Sequence, residues 1–216
     1  MSAPRILPDG DEARADAVEQ LRAGRIVAVP TDTVYGIAAD MALPDAIVRL
    51  FAAKRRPPEK AVAVLLADLA QAEAIAWLRP PARALGERFW PGGMTLVLPL
   101  LAGVQLPVEL AGAGTIGVRI PDHDAPRALA RALGPLPTTS ANVSGGTDAR
   151  DAQEVATTLG EAIELVLDGG PIRGGPASTV VDCTSQRPRI LREGAIPAWL
   201  VAETLERHGH GHDIRG

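Results

Sequence analysis

Short apolar runs, each closed by a proline or glycine and separated from the next by a stretch of helical periodicity, set what this chain can fold into. Ile26-Val27-Ala28-Val29 stops at Pro30, Thr115-Ile116-Gly117-Val118-Arg119-Ile120 stops at Pro121, and Arg189-Ile190-Leu191-Arg192 lies between Pro188 and Gly194. Residues 61–66, 95–98, 163–167 and 178–182 have the same character. Bounded runs this short read as strands. Between them, residues 9–21 place Ala13, Ala17, Val18 and Leu21 on one side of a helix, and 44–53, 80–88, 125–133, 152–159 and 198–207 read as further helices. Asp68 is placed to cap a helix that runs to Trp77. Interleaved strands and helices define an α/β fold. The C-terminal strands follow one another with few helices between, so one twisted sheet of mixed and parallel pairing is expected. No repeat, low-complexity block or long linker interrupts the pattern, and residues 1–216 read as one domain.

Composition narrows the partners. Aromatic residues make up 3% of the 216 residues, so Ala, Val and Leu must fill the core. A net charge of −4 argues against a surface that binds nucleic acid everywhere and leaves room for a local basic cleft. Cys183 is the single cysteine, which excludes an intrachain disulfide framework and a cysteine zinc site. The N-terminus lacks an apolar signal region, and no stretch approaches the ~20 apolar residues that span a bilayer. A cytoplasmic protein is expected.

The chemistry concentrates in a few segments. Lys54-Arg55-Arg56-Pro57-Pro58-Glu59-Lys60 holds four cations in an acidic chain, at the point where Pro57 stops a helix. The cluster reads either as a solvated C-terminal cap or as an anion site formed by Lys54, Arg56 and Lys60. In the strand 115–120, period-two alternation puts Thr115, Gly117 and Arg119 on one face and Ile116, Val118 and Ile120 on the other. The second set belongs in the core. The first faces something polar that comes close, or faces water. The same parity sends Arg189 and Arg192 to opposite faces. Two hydroxyl-rich segments, Thr31-Asp32-Thr33-Val34-Tyr35-Gly36 and Thr138-Thr139-Ser140-Ala141-Asn142-Val143-Ser144-Gly145-Gly146, read as loops at strand exits, where α/β sheets bind ligands. Neither is a Walker A or a GxGxxG loop. A serine triad could use only His123 outside the His/Gly tail, and Cys183 reads as core. His208, His210 and His212 are spaced by glycines that leave them unorganised as ligands. The inventory suits holding phosphate and stabilising its charge, as in phosphoryl or nucleotidyl transfer, more than covalent catalysis.

Taken in order, Pro30-Thr31-Asp32-Thr33-Val34-Tyr35-Gly36, Lys54-Arg55-Arg56-Pro57, Phe89-Trp90-Pro91-Gly92, Gly117-Val118-Arg119-Ile120-Pro121, Thr139-Ser140-Ala141-Asn142-Val143-Ser144-Gly145, Ser178-Thr179-Val180-Val181-Asp182 and Arg192-Glu193-Gly194 resemble the motif series of the YrdC/TsaC family, the L-threonylcarbamoyladenylate synthases. The resemblance covers about residues 14–196, with a C-terminal helix and flexible tail beyond at 197–216. It implies a twisted α/β fold around a large basic cavity, and a nucleotidyltransferase that joins L-threonine, bicarbonate or CO2, and ATP with Mg2+ into threonylcarbamoyl-AMP and pyrophosphate. It further implies that the product serves the N6-threonylcarbamoyl modification of adenosine 37 in tRNA, completed by downstream transfer proteins, with weak tRNA binding possible. The chain resembles the short form of the family, without the extra C-terminal domain.

By the same resemblance, Thr33, Arg119, Thr139, Ser140 and Thr179 are expected at L-threonine. Lys54, Arg56, Lys60, Thr115, Ala141, Asn142 and Arg192 are expected at ATP. Lys54, Arg56, Ser140 and Asn142 are the expected catalytic set, with no metal held by protein side chains. Many members carry Pro-Leu after the basic cluster and a histidine further along that strand; here Ala61-Val62 and Leu65 stand there. This departure makes a paralogue that binds RNA or ATP without acting on threonine the competing reading.

Overall fold

The structure, a computed structural model, describes residues 3–54, 62–107, 110, 114–143, 145–172 and 175–210. Arg56, Lys60, Ala61, Ser144 and His212 therefore lie outside the described residues. The elements run β1 (Arg5–Pro8), α1 (Asp11–Arg22), β2 (Val27–Val29), β3 (Gly36–Ala38), α2 (Pro44–Lys54), β4 (Ala63–Leu65), α3 (Leu69–Ile75), α4 (Pro80–Phe89), β5 (Met94–Pro99), β6 (Thr115–Arg119), α5 (Asp124–Leu133), β7 (Leu136–Ser140), α6 (Ala152–Leu159), β8 (Leu165–Asp168), β9 (Thr179–Asp182), β10 (Arg189–Arg192) and α7 (Ala198–Arg207). Each helix expected from periodicity is present, and Asp68 caps α3 by accepting from the Gln71 amide at 3.0 Å.

Among the described residues the strands form one sheet, in the order β1-β8-β2-β3-β7-β4-β6-β5-β9-β10. Parallel pairs (β1 with β8, β8 with β2, β4 with β6, β5 with β9) mix with antiparallel ones, as the close spacing of the last strands implied. Three strands depart from the expected reading. β1 pairs with β8 at one edge, ahead of the segment that carries the motifs. Thr138, Thr139 and Ser140 lie on β7, not in a loop, and Gly36 opens β3. The two strands pair antiparallel through Gly36 with Ser140 and Ala38 with Thr138. Threonine is β-branched and suits a strand, and here the ladder supplies the backbone partners that a loop would have taken from its own side chains.

Helices cover the two halves of the sheet differently. β2, β3 and β8 are packed on both faces. Val27, Val29, Ala38, Leu165 and Leu167 meet α1 and α5 through Ala13, Ala17, Leu21, Ala125 and Leu129. Ala28, Ile37 and Val166 meet α2 and α6 through Ile47, Leu50, Phe51, Ala152 and Val155. Alanine at these contacts lets helices approach a sheet that has few aromatics. β5, β6 and β9 are covered on one face, where Leu96, Leu98, Ile116, Val118 and Val181 pack on α4 and α7 through Leu85, Phe89, Val201 and Leu205. Burying Ile116 or Val118 contributes about 1.5–3 kcal/mol each. That burial fixes which face is left over, and the left-over face carries Thr115, Gly117 and Arg119.

Tyr35 locks the segment between β2 and β3 to the far end of β8. Its hydroxyl donates to the Gly170 carbonyl at 2.7 Å and accepts from the Gly169 amide at 3.2 Å. Burial pushes the phenol up to about 12, against an opposing pull from the Gly169 amide. A folded value raised above the unfolded one adds stability that is complete below about pH 10 and fades as pH climbs toward 12. Tyr35 is the chain's one tyrosine, so its ionisation can be followed by absorbance. It should titrate near 12 in the folded protein and near 10 in urea; a folded midpoint near 10 would show that the hydroxyl is not buried in this network.

Candidate active site

The uncovered half of the sheet curls around a hollow of about 290 Å³, close to the ~300 Å³ at which small-molecule sites begin. β6 gives it Thr115, Gly117 and Arg119, β5 gives Thr95 and Val97, and β4 gives Ala63 and Leu65. Thr138, Thr139 and Ser140 of β7 form another wall, with Thr31 and Thr33 above and Ser178, Val180 and Arg192 opposite. The alternation read from the sequence of β6 is therefore realised, its polar face on the hollow and its Ile/Val face in the core. A methyl group built on Gly117 would meet only the Thr95 methyl, at 3.8 Å, so the missing side chain widens the hollow and relieves no clash.

Arg119 is 5% exposed and held at three points. Nε donates to the Gly92 carbonyl at 2.9 Å, Nη1 to Thr33 Oγ1 at 2.8 Å, and Nη2 to Asp32 Oδ1 at 2.5 Å. These bonds use three of the five N–H groups of a guanidinium. Burial pulls its pKa down from the ordinary arginine value, Asp32 pushes it back up, and the positive charge of Arg192 adds to the downward pull. The two cations thus sense each other across the hollow, and an anion between them would relieve the repulsion. Thr33 is itself oriented by Thr31, whose Oγ1 accepts from the Thr33 amide at 3.1 Å and the Val34 amide at 3.2 Å.

Lys54 enters from another direction. It ends α2, and Ile47, Leu50, Phe51 and Lys54 share one buried stripe at helical spacing. Its ammonium is consequently carried inward, to 3% exposure, and not onto a solvated cap. Nζ donates to the Ser140 carbonyl at 2.8 Å, to Ser140 Oγ at 2.7 Å and to Asn142 Oδ1. Ser140 Oγ donates to Asn142 Oδ1 at 2.8 Å, and Asn142 Nδ2 to the Gly146 carbonyl at 2.6 Å. The Lys54-Ser140-Asn142 cluster expected from the motifs is thus assembled at the wall of the hollow.

Arg192 also reaches the hollow. Its Nη2 donates to the Ser178 carbonyl at 2.8 Å and to Ser178 Oγ at 3.3 Å. Arg189 is exposed and lies 3.5 Å from Asp182. The two arginines part as expected, although the pairing register of β10 shifts between Ile190 and Arg192, so regular alternation does not account for it.

Two of the expected residues do not line the hollow. Thr179 is fully buried on the face of β9 that carries core Val181, away from the hollow. Its hydroxyl donates to the Ile196 carbonyl at 2.6 Å and accepts from the amides of Gly194 and Ile196, both at 2.9 Å, which ties the turn after β10 to β9. Ala141 is buried too, and its amide is used by the Tyr35 carbonyl at 2.8 Å. Residues absent from the sequence expectation stand where Thr179 was placed. Ser178 shares the hollow face with Val180, and its hydroxyl lies 2.8 Å from Thr95 Oγ1. The alternation argument applied to β6 would have found Ser178 had it been applied to β9. Leu65 is 3% exposed and makes that part of the wall apolar.

His123 caps α5, its Nδ1 accepting from the Ala125 amide at 3.2 Å, and burial of Cys183 pushes its thiol up, away from nucleophilic use. Among the described residues, no group of His, Cys, Asp or Glu is placed to hold a metal, and no helix is long and apolar enough to cross a membrane.

A mixed sheet closed by helices on one side and opening on the other into a hollow of cations and hydroxyls defines an α/β domain built to hold an anionic ligand. The Sua5/YciO/YrdC family, described as telomere recombination, matches residues 19–194, and the chain belongs to it. It is 39% identical over 192 residues to the threonylcarbamoyl-AMP synthase of Bacillus subtilis (strain 168), covering 88% of this chain and 56% of that protein. It is 37% identical over 190 residues to the putative threonylcarbamoyl-AMP synthase of Mycobacterium tuberculosis (strain ATCC 25618 / H37Rv), covering 88% and 87%. The crystal structure of Pyrococcus abyssi Sua5 complexed with L-threonine superposes with a TM-score of 0.84 at 34% identity, over 95% of this chain and 61% of that one. The chain thus spans somewhat over half the length of some relatives and most of others.

The Thr179 hydroxyl gives a direct test of its reassignment. Thr179→Val would strand the Gly194 and Ile196 amides, and each unsatisfied buried group costs about 1–3 kcal/mol. The urea midpoint should fall accordingly, and Thr179→Ser should restore it. A variant of unchanged stability that had lost affinity for L-threonine would return Thr179 to the ligand.

Proposed function

We propose that this chain is an L-threonylcarbamoyladenylate synthase, a nucleotidyltransferase acting as one catalytic domain. The observation that carries the reading is that Arg119, Arg192 and the Lys54-bonded Ser140 open on one hollow although they are far apart in sequence. The family, the names of the relatives and the L-threonine complex of the P. abyssi protein support it.

L-Threonine enters with its carboxylate toward the two N–H groups of Arg119 not engaged by Asp32, Thr33 and Gly92, a planar pairing suited to guanidinium. Thr33, Thr139 and Ser140 face the rest of the amino acid. The triphosphate lies toward Lys54, with Arg56 and Lys60 of the adjoining basic segment. Thr115, Asn142 and Arg192 face the nucleotide. Mg2+ enters as part of the MgATP substrate and offsets phosphate charge.

The threonine amine attacks CO2 and loses a proton, giving a carbamate. A carbamate oxygen then attacks the α-phosphorus, the new P–O bond forms as the bond from the α-phosphorus to the bridging oxygen breaks, and pyrophosphate leaves. Positioning and charge stabilisation carry the step. Each charge-assisted hydrogen bond to the leaving oxygens contributes about 1.5–3 kcal/mol, or roughly 10- to 100-fold in rate. In the cytoplasm the product would serve threonylcarbamoyl transfer to adenosine 37 of tRNA by partner proteins, with any tRNA contact weak and salt-sensitive. The apolar Leu65 position leaves a methyl-bearing side chain better matched than a charged one.

The test is incubation with MgATP, bicarbonate and each amino acid in turn, reading pyrophosphate and the mass of the adenylate. Pyrophosphate release dependent on L-threonine, with an adenylate of threonylcarbamoyl mass, is the expected result. Pyrophosphate release indifferent to the amino acid, or none with any of them, would contradict the proposal and favour an ATP- or RNA-binding paralogue.

A further inference from the structure

Arg119 is the most fully specified cation in the hollow, and one of its three partners stands apart. Gly92 offers a neutral carbonyl and Thr33 a neutral hydroxyl on the wall itself. Asp32 is not on that wall, yet among the described residues it supplies the only carboxylate bonded to the guanidinium, at 2.5 Å, with side-chain exposure of 18%. The same Oδ1 accepts from the Asp122 amide at 3.1 Å, which fastens the 31–34 segment to the chain leaving β6.

We propose that Asp32 is a positioning residue for the amino-acid end of the hollow: gripping Arg119 from outside, it fixes the plane of the guanidinium fork and so sets the affinity for the substrate carboxylate. The inference rests on the reading of Arg119 as the carboxylate seat. An arginine side chain has many rotamers, and two neutral acceptors hold a buried guanidinium less firmly than two acceptors and a charge. Displacements on the order of 1 Å at such a clamp can cost about a hundredfold. Because Asp32 bonds one N–H of the fork and does not line the hollow, its role is orientation and not competition with the substrate.

Steady-state kinetics with L-threonine and MgATP varied separately, for wild type, Asp32→Ala and Asp32→Asn, tests this. Asp32→Ala should raise the KM for L-threonine more than about tenfold while kcat and the ATP KM stay within about twofold, the signature of lost binding at one end of the site. Asp32→Asn keeps an oxygen for Arg119 and the Asp122 amide and should recover most of the affinity, leaving a rise of about threefold. If Asp32→Ala does not fold, the selective rise in Asp32→Asn decides alone. A lower melting temperature with an unchanged threonine KM would make Asp32 merely structural, and a lower threonine KM would make it a competitor; either overturns the inference. Absence of threonine-dependent turnover in the wild type would instead overturn the proposed function.

Discussion

A guanidinium buried to 5% exposure must find acceptors, and those Arg119 finds come from separate parts of the chain. Asp32 and Thr33 belong to the segment after β2, Gly92 to the turn after α4, and Arg119 itself to the end of β6. Removing one partner of a buried ion pair typically costs about 3–5 kcal/mol, because the remaining charge has no water to turn to. The ion therefore ties the 31–34 segment to the Gly92 turn and the end of β6, which are themselves joined by the Gly92 amide donating to the Ile120 carbonyl at 2.9 Å, and it does so at the rim of the hollow. Stability and site geometry depend on the same contact.

The hollow exists because the sheet is covered unevenly. Ile116 and Val118 are claimed by the α4 and α7 side, which leaves the opposite face of β6 without a helix among the described residues and lined by residues that tolerate water or a polar ligand. Lys54 reaches the same place by the opposite logic: its helix stripe is apolar for two turns and then ends in an ammonium, so packing of Ile47 and Phe51 delivers a charge to the inside. Neutral acceptors on β7 and the segment after it, Ser140 and Asn142, receive it. A site made this way has its cations fixed by core packing, which lowers the reorganisation needed when charge develops on a substrate.

Much of this was legible in the residues. Alternation in β6 assigned its two faces, helical spacing placed the helices, and Thr33, Arg119, Ser140 and Arg192, singled out by the motifs, line one hollow. What stayed hidden depends on pairing between distant segments. Gly36 with Ser140 makes strands out of residues with loop-like chemistry, and no local signal reports that partnership. β1 is an edge strand whose partner is distant in sequence, Arg5 pairing with Leu165. Asp32 looked like a turn residue because its partner is 87 positions away. Thr179 shows where motif matching and strand parity part: parity sets its hydroxyl with Val181 in the interior and gives the hollow to Ser178.

The central claim is that one hollow takes both the amino acid and the nucleotide, with Arg119 at one end and the Lys54-Ser140-Asn142 cluster at the other. A crystal structure with L-threonine and a non-hydrolysable ATP analogue tests it most directly. The account requires the threonine carboxylate within hydrogen-bonding distance of Arg119 and the α-phosphate within reach of the threonine amine, beside Ser140. Ligands bound on separate surfaces, or a threonine carboxylate turned away from Arg119, would contradict it.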